Sequence, residues 1–253
     1  VCVVVKKVEL NELGIQYLMQ VQEKLHKTFG RDRKKLSIGV YDLDEIEFPL
    51  TYGAEVRNLK FVPLEMDGEM DVDEILEKHP TGIDYSHLLD GFKKVPIWSD
   101  NNGKVLSMPP IINSENTKVT ANSKNLFIDV TGLDLKSCEQ ALNILVTGFS
   151  ERGADIYSVN VNGKNYPDLE SRKVKLDVTY LNKILGLELK EKEIKSYFER
   201  MGYGFNKNIV EIPCYRTDVM SQIDLIEDIA IAHGYENFEE EISDFAGVAQ
   251  EDK

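Results

Sequence analysis

Asp129 and Thr131 stand two residues apart in the run NLFIDVTG (125–132). The two-residue period of a β-strand puts both on one face. Leu126, Ile128 and Val130 take the opposite face, which a core must cover. An acid and a hydroxyl beside Phe127 are the groups that the floor of a polar pocket needs. The pattern alone leaves a second reading open, a half-exposed strand with a solvated face. The stretch VLSMPPIINSENTKVT (105–120) poses the same choice. Pro109 and Pro110 have no N–H to give to a ladder. The run is either an edge strand ending in a turn or a stiff wall that holds Asn113, Ser114 and Glu115 beside a pocket.

No familiar catalytic motif competes with these groups. GYGFNK (202–207) has no third glycine and follows a helix, so it is no dinucleotide loop. GFSERG (148–153) falls inside a predicted helix and is no nucleophile elbow. The four histidines make no metal-ligand spacing with the three cysteines, and His87 and His233 read as packed or surface side chains.

The 253 residues fit one or two domains. No run of about 18 apolar residues predicts a membrane span. Three scattered cysteines and the lack of an N-x-S/T sequon point to a reducing, intracellular setting. The opening VCVVVKK is too short for a signal peptide and reads as an edge strand of a longer protein. A net charge of −14 argues against a surface that binds nucleic acid everywhere. One basic cluster, KLHKTFGRDRKK (24–35), stands out. It is either a solvated helix end or a phosphate-contacting patch built from Lys24, Lys27, Arg31, Arg33, Lys34 and Lys35.

Periodicity predicts the elements that must position these groups. Leu13, Tyr17, Val21, Leu25 and Phe29 make an apolar stripe on a helix over 11–29 that Gly30 stops. Strands follow at 36–43 and around 48–66, then a helix at 71–79 ended by Pro80. Asn102-Gly103 predicts a hairpin joining KVPIW to KVLSM. A helix over 135–152 buries Cys138, Leu142, Leu145 and Phe149. The boundary is expected near 155, with a hairpin turning at Asn162-Gly163. Beyond it come a helix with Thr179 as N-cap and Gly186 as stop, a charged helix ending at Gly202, a strand at 209–215 and a final helix through Val219, Ile223, Ile226, Ala230 and His233. The fold class is α+β: a mixed-sheet domain over 1–154, a small winged-helix-like domain over 155–242 and an acidic tail over 243–253.

Two segments go beyond generic pattern. YRTDVMSQIDLIEDIAIAHGYENF (215–238), with its P-x-Y-R-x-D, D-L-I-E-D and G-Y-E-N elements, resembles the small DNA-binding-like domain of the phenylalanyl-tRNA synthetase β subunit. LSMPPIINSENTKVTANSKNLFIDVTGLD (106–134), with VQEKLHKTFGRDRKKLSIGVYDLD (21–44), is similar to the editing domain of that subunit in its archaeal and eukaryotic cytosolic form. The resemblance spans nearly the whole chain.

It implies a fragment of a cytoplasmic ligase of two α and two β subunits that attaches phenylalanine to its tRNA. The editing domain would hydrolyse tyrosine wrongly attached to tRNA(Phe). ATP and magnesium are implied for the whole enzyme, and no cofactor for these domains. A pocket shaped for phenylalanine rejects an isostere with one more hydroxyl only weakly, by about 10²-fold. A second site can choose the other way by offering a buried polar group to the phenol. Ser107, Asp129 and Thr131 are implicated by position. Trp98 is expected to stack on the substrate ring, with Pro109 and Pro110 as a wall, Ile111 and Ile112 as its anchors and Asn113 and Ser114 as its rim. Bacterial members use a histidine and a glutamate, but the local segment here is VPIWSD, so a positioned water helped by the terminal tRNA hydroxyl is the expected route. The competing function is a non-catalytic scaffold that binds subunits or nucleic acid. DNA is a poor partner for the last helix, because residues 218–233 carry Asp218, Asp224, Glu227 and Asp228 and no Lys or Arg.

Overall fold

A computed structural model describes residues 1–239. The acidic tail over 243–253 lies outside the described residues. The chain divides into two compact units, 1–169 and 170 onward.

The first unit contains β1 (Cys2–Lys6), α1 (Glu12–Lys27), β2 (Leu36–Asp42), β3 (Thr51–Val56), β4 (Lys60–Phe61), β5 (Met70–Asp71), α2 (Val72–Lys78), α3 (Pro80–Tyr85), β6 (Lys94–Ser99), β7 (Val105–Met108), β8 (Ile112–Asn113), β9 (Asn125–Gly132), α4 (Leu135–Glu151), β10 (Asp155–Val161) and β11 (Lys164–Tyr166). Two sheets matter for the site. The larger has the order β11-β10-β1-β9-β2, and the other β3-β6-β7-β8, with every recorded pairing antiparallel.

Three expectations change. The opening strand is no edge: β1 is the middle strand, paired with β9 on one side and β10 on the other. For the same reason the boundary moves from 155 to 169/170, because the hairpin turning at Asn162-Gly163 completes the first unit's sheet. The apolar stripe on α1 is also rotated. Leu18 and Leu25 are buried, whereas Leu13, Tyr17 and Val21 are exposed. A stripe stepped every four residues drifts around a helix of 3.6 residues per turn, and here the sheet takes the Gly14–Leu18–Leu25 side.

β9 behaves as its alternation predicts. Leu126, Ile128 and Val130 are fully buried under α4, whose Cys138, Leu142, Leu145 and Phe149 are buried in the same core. Asp134 caps α4 by accepting from the Ser137 N–H. Phe127 and Asp129, on the opposite face, are buried as well. The half-exposed reading therefore fails for them, and the second sheet covers that side: Tyr41, Trp98, Leu106 and Phe127 share one apolar cluster.

The second unit contains β12 (Arg172–Lys175), α5 (Val178–Leu185), α6 (Glu191–Arg200), β13 (Gly204–Asn206), β14 (Ile209–Ile212) and α7 (Gln222–His233) around its own core. Two helices, a hairpin and a third helix are the winged-helix-like order expected. The caps differ from expectation. Asp177, not Thr179, accepts from the Tyr180 N–H, and Ser221 with Asp224 forms a capping box that starts α7 after the RTD turn. Gly186 ends α5 at φ 66°.

Arg216 pairs within its own domain. Its guanidinium lies 2.7 Å from both Asp218 and Asp228 and covers the Tyr203 ring. Tyr203 donates to the buried Asp228 carboxylate. Removing one partner of a buried pair leaves a costly charge. Arg216→Ala is expected to destabilise this unit by about 2–4 kcal/mol, read as faster amide exchange over 203–228. Arg216→Lys will rescue only part of it, since an ammonium cannot span both carboxylates as a planar fork does.

Candidate functional site

The face of the larger sheet that looks toward the second sheet carries an ordered column. On β9 it is Phe127, Asp129 and Thr131. On β2, in direct register, it is Tyr41, Gly39 and Ser37. The Tyr41 ring stacks on Phe127 at 5.9 Å between centroids and runs back along β2 across Gly39. Its hydroxyl donates to Asp129 Oδ1 at 2.6 Å. The Ser107 hydroxyl, from β7 of the opposing sheet, is 2.7 Å from the Tyr41 phenol oxygen and donates to it, because the phenol proton is already committed to Asp129. One step along the column, the Ser37 and Thr131 hydroxyls pair at 3.0 Å.

The structure thus joins Ser107 to Asp129 and sets Thr131 on the same face, but through residues that sequence reasoning missed. Tyr41 is the bridge between Ser107 and Asp129. The signal was present in LSIGVYD, where a hydroxyl, a glycine and an aromatic alternate on one face of β2.

Asp129 is completely buried, and only one of its oxygens is used. Oδ2 has no hydrogen-bond partner. Burial pushes its pKa up to about 6, while the Tyr41 hydrogen bond pulls it down. The Trp98 indole N–H also favours the charged form, yet lies outside hydrogen-bonding geometry to the carboxylate. Tyr41 is held well above the usual phenol range, by burial first and by the Asp129 charge next. Cys2, directly across from Asp129 on β1, has its thiol pushed up to about 12, again by burial and then by that charge. It stays protonated and is no nucleophile.

Gly39, Tyr41, Ser107 and Asp129 border a cavity of about 490 Å³, within the ordinary range for small-molecule sites. Its walls hold Pro109, Pro110 and Asn113 and four carboxylates, Glu23, Glu65, Asp84 and Asp129. A second cavity of about 270 Å³ shares Arg33, Ser37, Pro109 and Pro110 with the first and contains Thr131.

The diproline is therefore a wall, as one of the two readings had it. Ile111 and Ile112 anchor it in a buried core. Arg33 holds it from outside, donating to the carbonyls of Pro110 (3.3 Å) and Ile111 (2.8 Å). The same guanidinium pairs with Glu23 at 2.7 Å and covers the Tyr85 ring at 4.3 Å. Arg33 is thereby removed from the proposed RNA-contacting set, its side chain being only 13% exposed. Lys24, Lys27, Arg31 and Lys34 remain exposed or partly exposed, and Lys35 is half-buried.

Two other placements differ from expectation. Trp98 borders neither cavity: its ring packs against Tyr52 (5.0 Å) and Phe127 (6.3 Å), so it shapes the floor under Asp129 instead of stacking on a ligand. Ser114 is wholly buried and donates to the Val62 carbonyl, so only Asn113 of the expected rim faces the cavity. The two histidines on the cavity wall are both spent. His26 accepts from the Ile38 N–H at 2.8 Å and donates to Glu23 at 3.0 Å. His79 accepts from the Thr81 N–H at 3.2 Å and donates to the Leu64 carbonyl at 3.0 Å.

The first unit, with its antiparallel sheets, and the small second unit each match a known domain family. Residues 11–161 match the B3/4 domain and residues 174–235 the tRNA synthetase B5 domain. The chain belongs to the phenylalanine–tRNA ligase beta subunit family. It is 47% identical over 98% of its length to the beta subunit of Methanococcus maripaludis and 43% identical over 94% to that of Pyrococcus abyssi. It covers 46% and 44% of those two relatives, so the chain spans about half the length of the curated relatives it matches. A crystal structure of an N-terminal fragment of the phenylalanyl-tRNA synthetase beta subunit from Pyrococcus horikoshii superposes with a TM-score of 0.88 at 41% identity, over 93% of this chain and 70% of that one.

Proposed function

We propose that the first unit hydrolyses the ester of tyrosine mistakenly joined to tRNA(Phe), as part of a ligase of two α and two β subunits. The observation that carries this reading is the free oxygen of Asp129. A buried carboxylate with one oxygen fixed by Tyr41 and the other without a partner is matched by a phenol O–H. Phenylalanine would leave that oxygen unpaired, at a cost of about 1–3 kcal/mol, so the site prefers the larger amino acid that the synthetic pocket fails to exclude.

The carboxylates on the cavity wall also suit the α-ammonium group of an aminoacyl ester. With both wall histidines engaged, the attacking water is oriented by hydroxyls, and the Ser37–Thr131 pair supplies them two residues from Asp129. Water adds to the ester carbonyl, the bond to the ribose oxygen breaks, and the proton passes to that oxygen, aided by the neighbouring ribose hydroxyl. Products are tyrosine and uncharged tRNA. On this reading ATP and magnesium serve aminoacylation in parts of the enzyme beyond these two domains.

The test is release of labelled tyrosine and phenylalanine from tRNA(Phe) by the complete enzyme, with Asp129→Ala and Thr131→Ala beside the parent. Tyrosine release is expected to fall in both variants while phenylalanine charging stays intact. Unchanged release in both would assign the unit a scaffolding role instead.

A further inference from the structure

The two cavities that meet at the diproline differ in electrostatic character. The larger carries four carboxylates against two cations, Arg33 and Lys118. The smaller is bordered by Arg33, Lys34 and Lys35 and by no acidic residue, in a chain with 44 Asp and Glu against 30 Lys and Arg. Arg33 is consumed by Glu23 and the wall carbonyls, but no salt bridge among the described residues uses Lys34 or Lys35. Neither ammonium is tied up in an ion pair, although Lys35 adds to the Ser137 hydrogen bonds that hold the Asp134 carboxyl below its usual range.

The apolar part of the same cavity is as distinctive. Phe92 is 61% exposed and Tyr52 49% exposed, and both border it. Large exposed aromatics next to unpaired lysines form the combination that holds single-stranded nucleic acid: base stacking on rings, phosphates on cations. Thr131 and Ser37 border this cavity too, and Ser37 borders both cavities.

We propose that the smaller cavity seats the 3′-terminal nucleotide of an RNA strand, with its base on Phe92 and Tyr52 and its phosphate on Lys34 and Lys35. This inference rests on the editing reading for the identity of the attached group. A nucleotide held there places its ribose at Ser37 and Thr131. The amino acid on that ribose then extends past the diproline toward Asp129. The basic cluster at 31–35 thus works through two lysines beside the site, whereas Arg33 holds the wall.

The experiment uses uncharged single-stranded RNA ending in CCA with a fluorescent 5′ label, titrated into the chain and followed by anisotropy. Phe92→Ala is expected to raise Kd by about 5- to 100-fold, the worth of one base stacked on an aromatic ring. The double variant K34Q/K35Q is expected to weaken binding. It should also make the slope of log K against log salt shallower by about 0.7 for each phosphate that is no longer neutralised. Both sites are open enough for the fold to tolerate these changes. Parent-like binding by Phe92→Ala overturns the seat, even if the lysine variant weakens binding, since only a general cationic patch would then remain. Failure of the parent to bind at all also overturns it. Phe92-dependent RNA binding in a protein that releases no tyrosine keeps the nucleotide seat and rejects the editing reading.

Discussion

Replacing Asp129 by Asn in the complete enzyme is expected to slow tyrosine release from tRNA(Phe) by about 10- to 100-fold, the range set by losing a hydrogen bond to a charged acceptor. The substitution is nearly isosteric. Its carbonyl still accepts from Tyr41, so the bridge to Ser107 is kept. Only the second oxygen changes, from an acceptor to an N–H donor that cannot receive the phenol proton. The parent should also show an acid limb. Asp129 has a pKa of about 6 in the folded chain, so tyrosine release is expected to decline as pH falls through about 6, with an apparent value that belongs to the coupled Tyr41–Asp129 pair. The limb should be absent in Asp129→Asn.

Stability moves in the opposite sense, which separates the two effects. The folded pKa is raised above the ordinary aspartate value of 3.8. The native state therefore binds this proton more tightly than the unfolded chain. That contribution is complete at low pH and is lost as pH rises from about 4 through 6, worth about 2–3 kcal/mol in all. At pH 7 the Asn variant should melt no lower than the parent while releasing tyrosine slowly. Unimpaired release with an unchanged acid limb would remove Asp129 from the site.

The fold is legible where period and burial agree. NLFIDVTG alternates cleanly because one side of β9 meets α4, and the structure returns the same bounds. The hairpin from β6 to β7 is legible because Asn102-Gly103 supplies the turn chemistry, with Gly103 at φ 80°. The α1 stripe is not, because several registers of apolar residues fit one helix and only the sheet beneath decides which is buried. The domain boundary escapes local pattern because hydrogen bonds between β1 and β10 join residues far apart in sequence.

The site divides along the same line. Alternation sets Ser107, Asp129 and Thr131 near one another, yet the contact between the first two passes through Tyr41, whose partner strand and register no local pattern specifies. The charge of its neighbours makes Arg33 look like a phosphate contact. Its actual partners are the Pro110 and Ile111 carbonyls, 77 and 78 residues away. Sequence shows which side chains exist, and distant pairing decides what each one touches.

Gly39→Ala is the sharpest test of the arrangement around Asp129. A Cβ at Gly39 would stand 2.0 Å from the Tyr41 hydroxyl and 2.3 Å from Asp129 Oδ1. Neither can retreat easily. The phenol ring is packed on Phe127 and wholly buried, and the carboxylate is tied to that same hydroxyl. The glycine is required here for space, since its backbone is not among the left-handed residues. Overpacking of a buried site costs about 1–3 kcal/mol, and breaking the Tyr41–Asp129 hydrogen bond leaves a buried carboxylate with neither oxygen satisfied, about 1–3 kcal/mol more. The first unit is expected to lose about 2–6 kcal/mol, read by denaturant unfolding, and tyrosine release should collapse even at temperatures where the variant is folded. Combining Gly39→Ala with Tyr41→Phe removes the closest clashing atom and should recover part of the stability. The double variant should remain defective in tyrosine release, because Asp129 Oδ1 is no longer held and the carboxylate is free to turn. Full recovery of both would show that the Tyr41 hydroxyl merely fills space, and no recovery of stability would mean that the alanine clashes with something other than that hydroxyl.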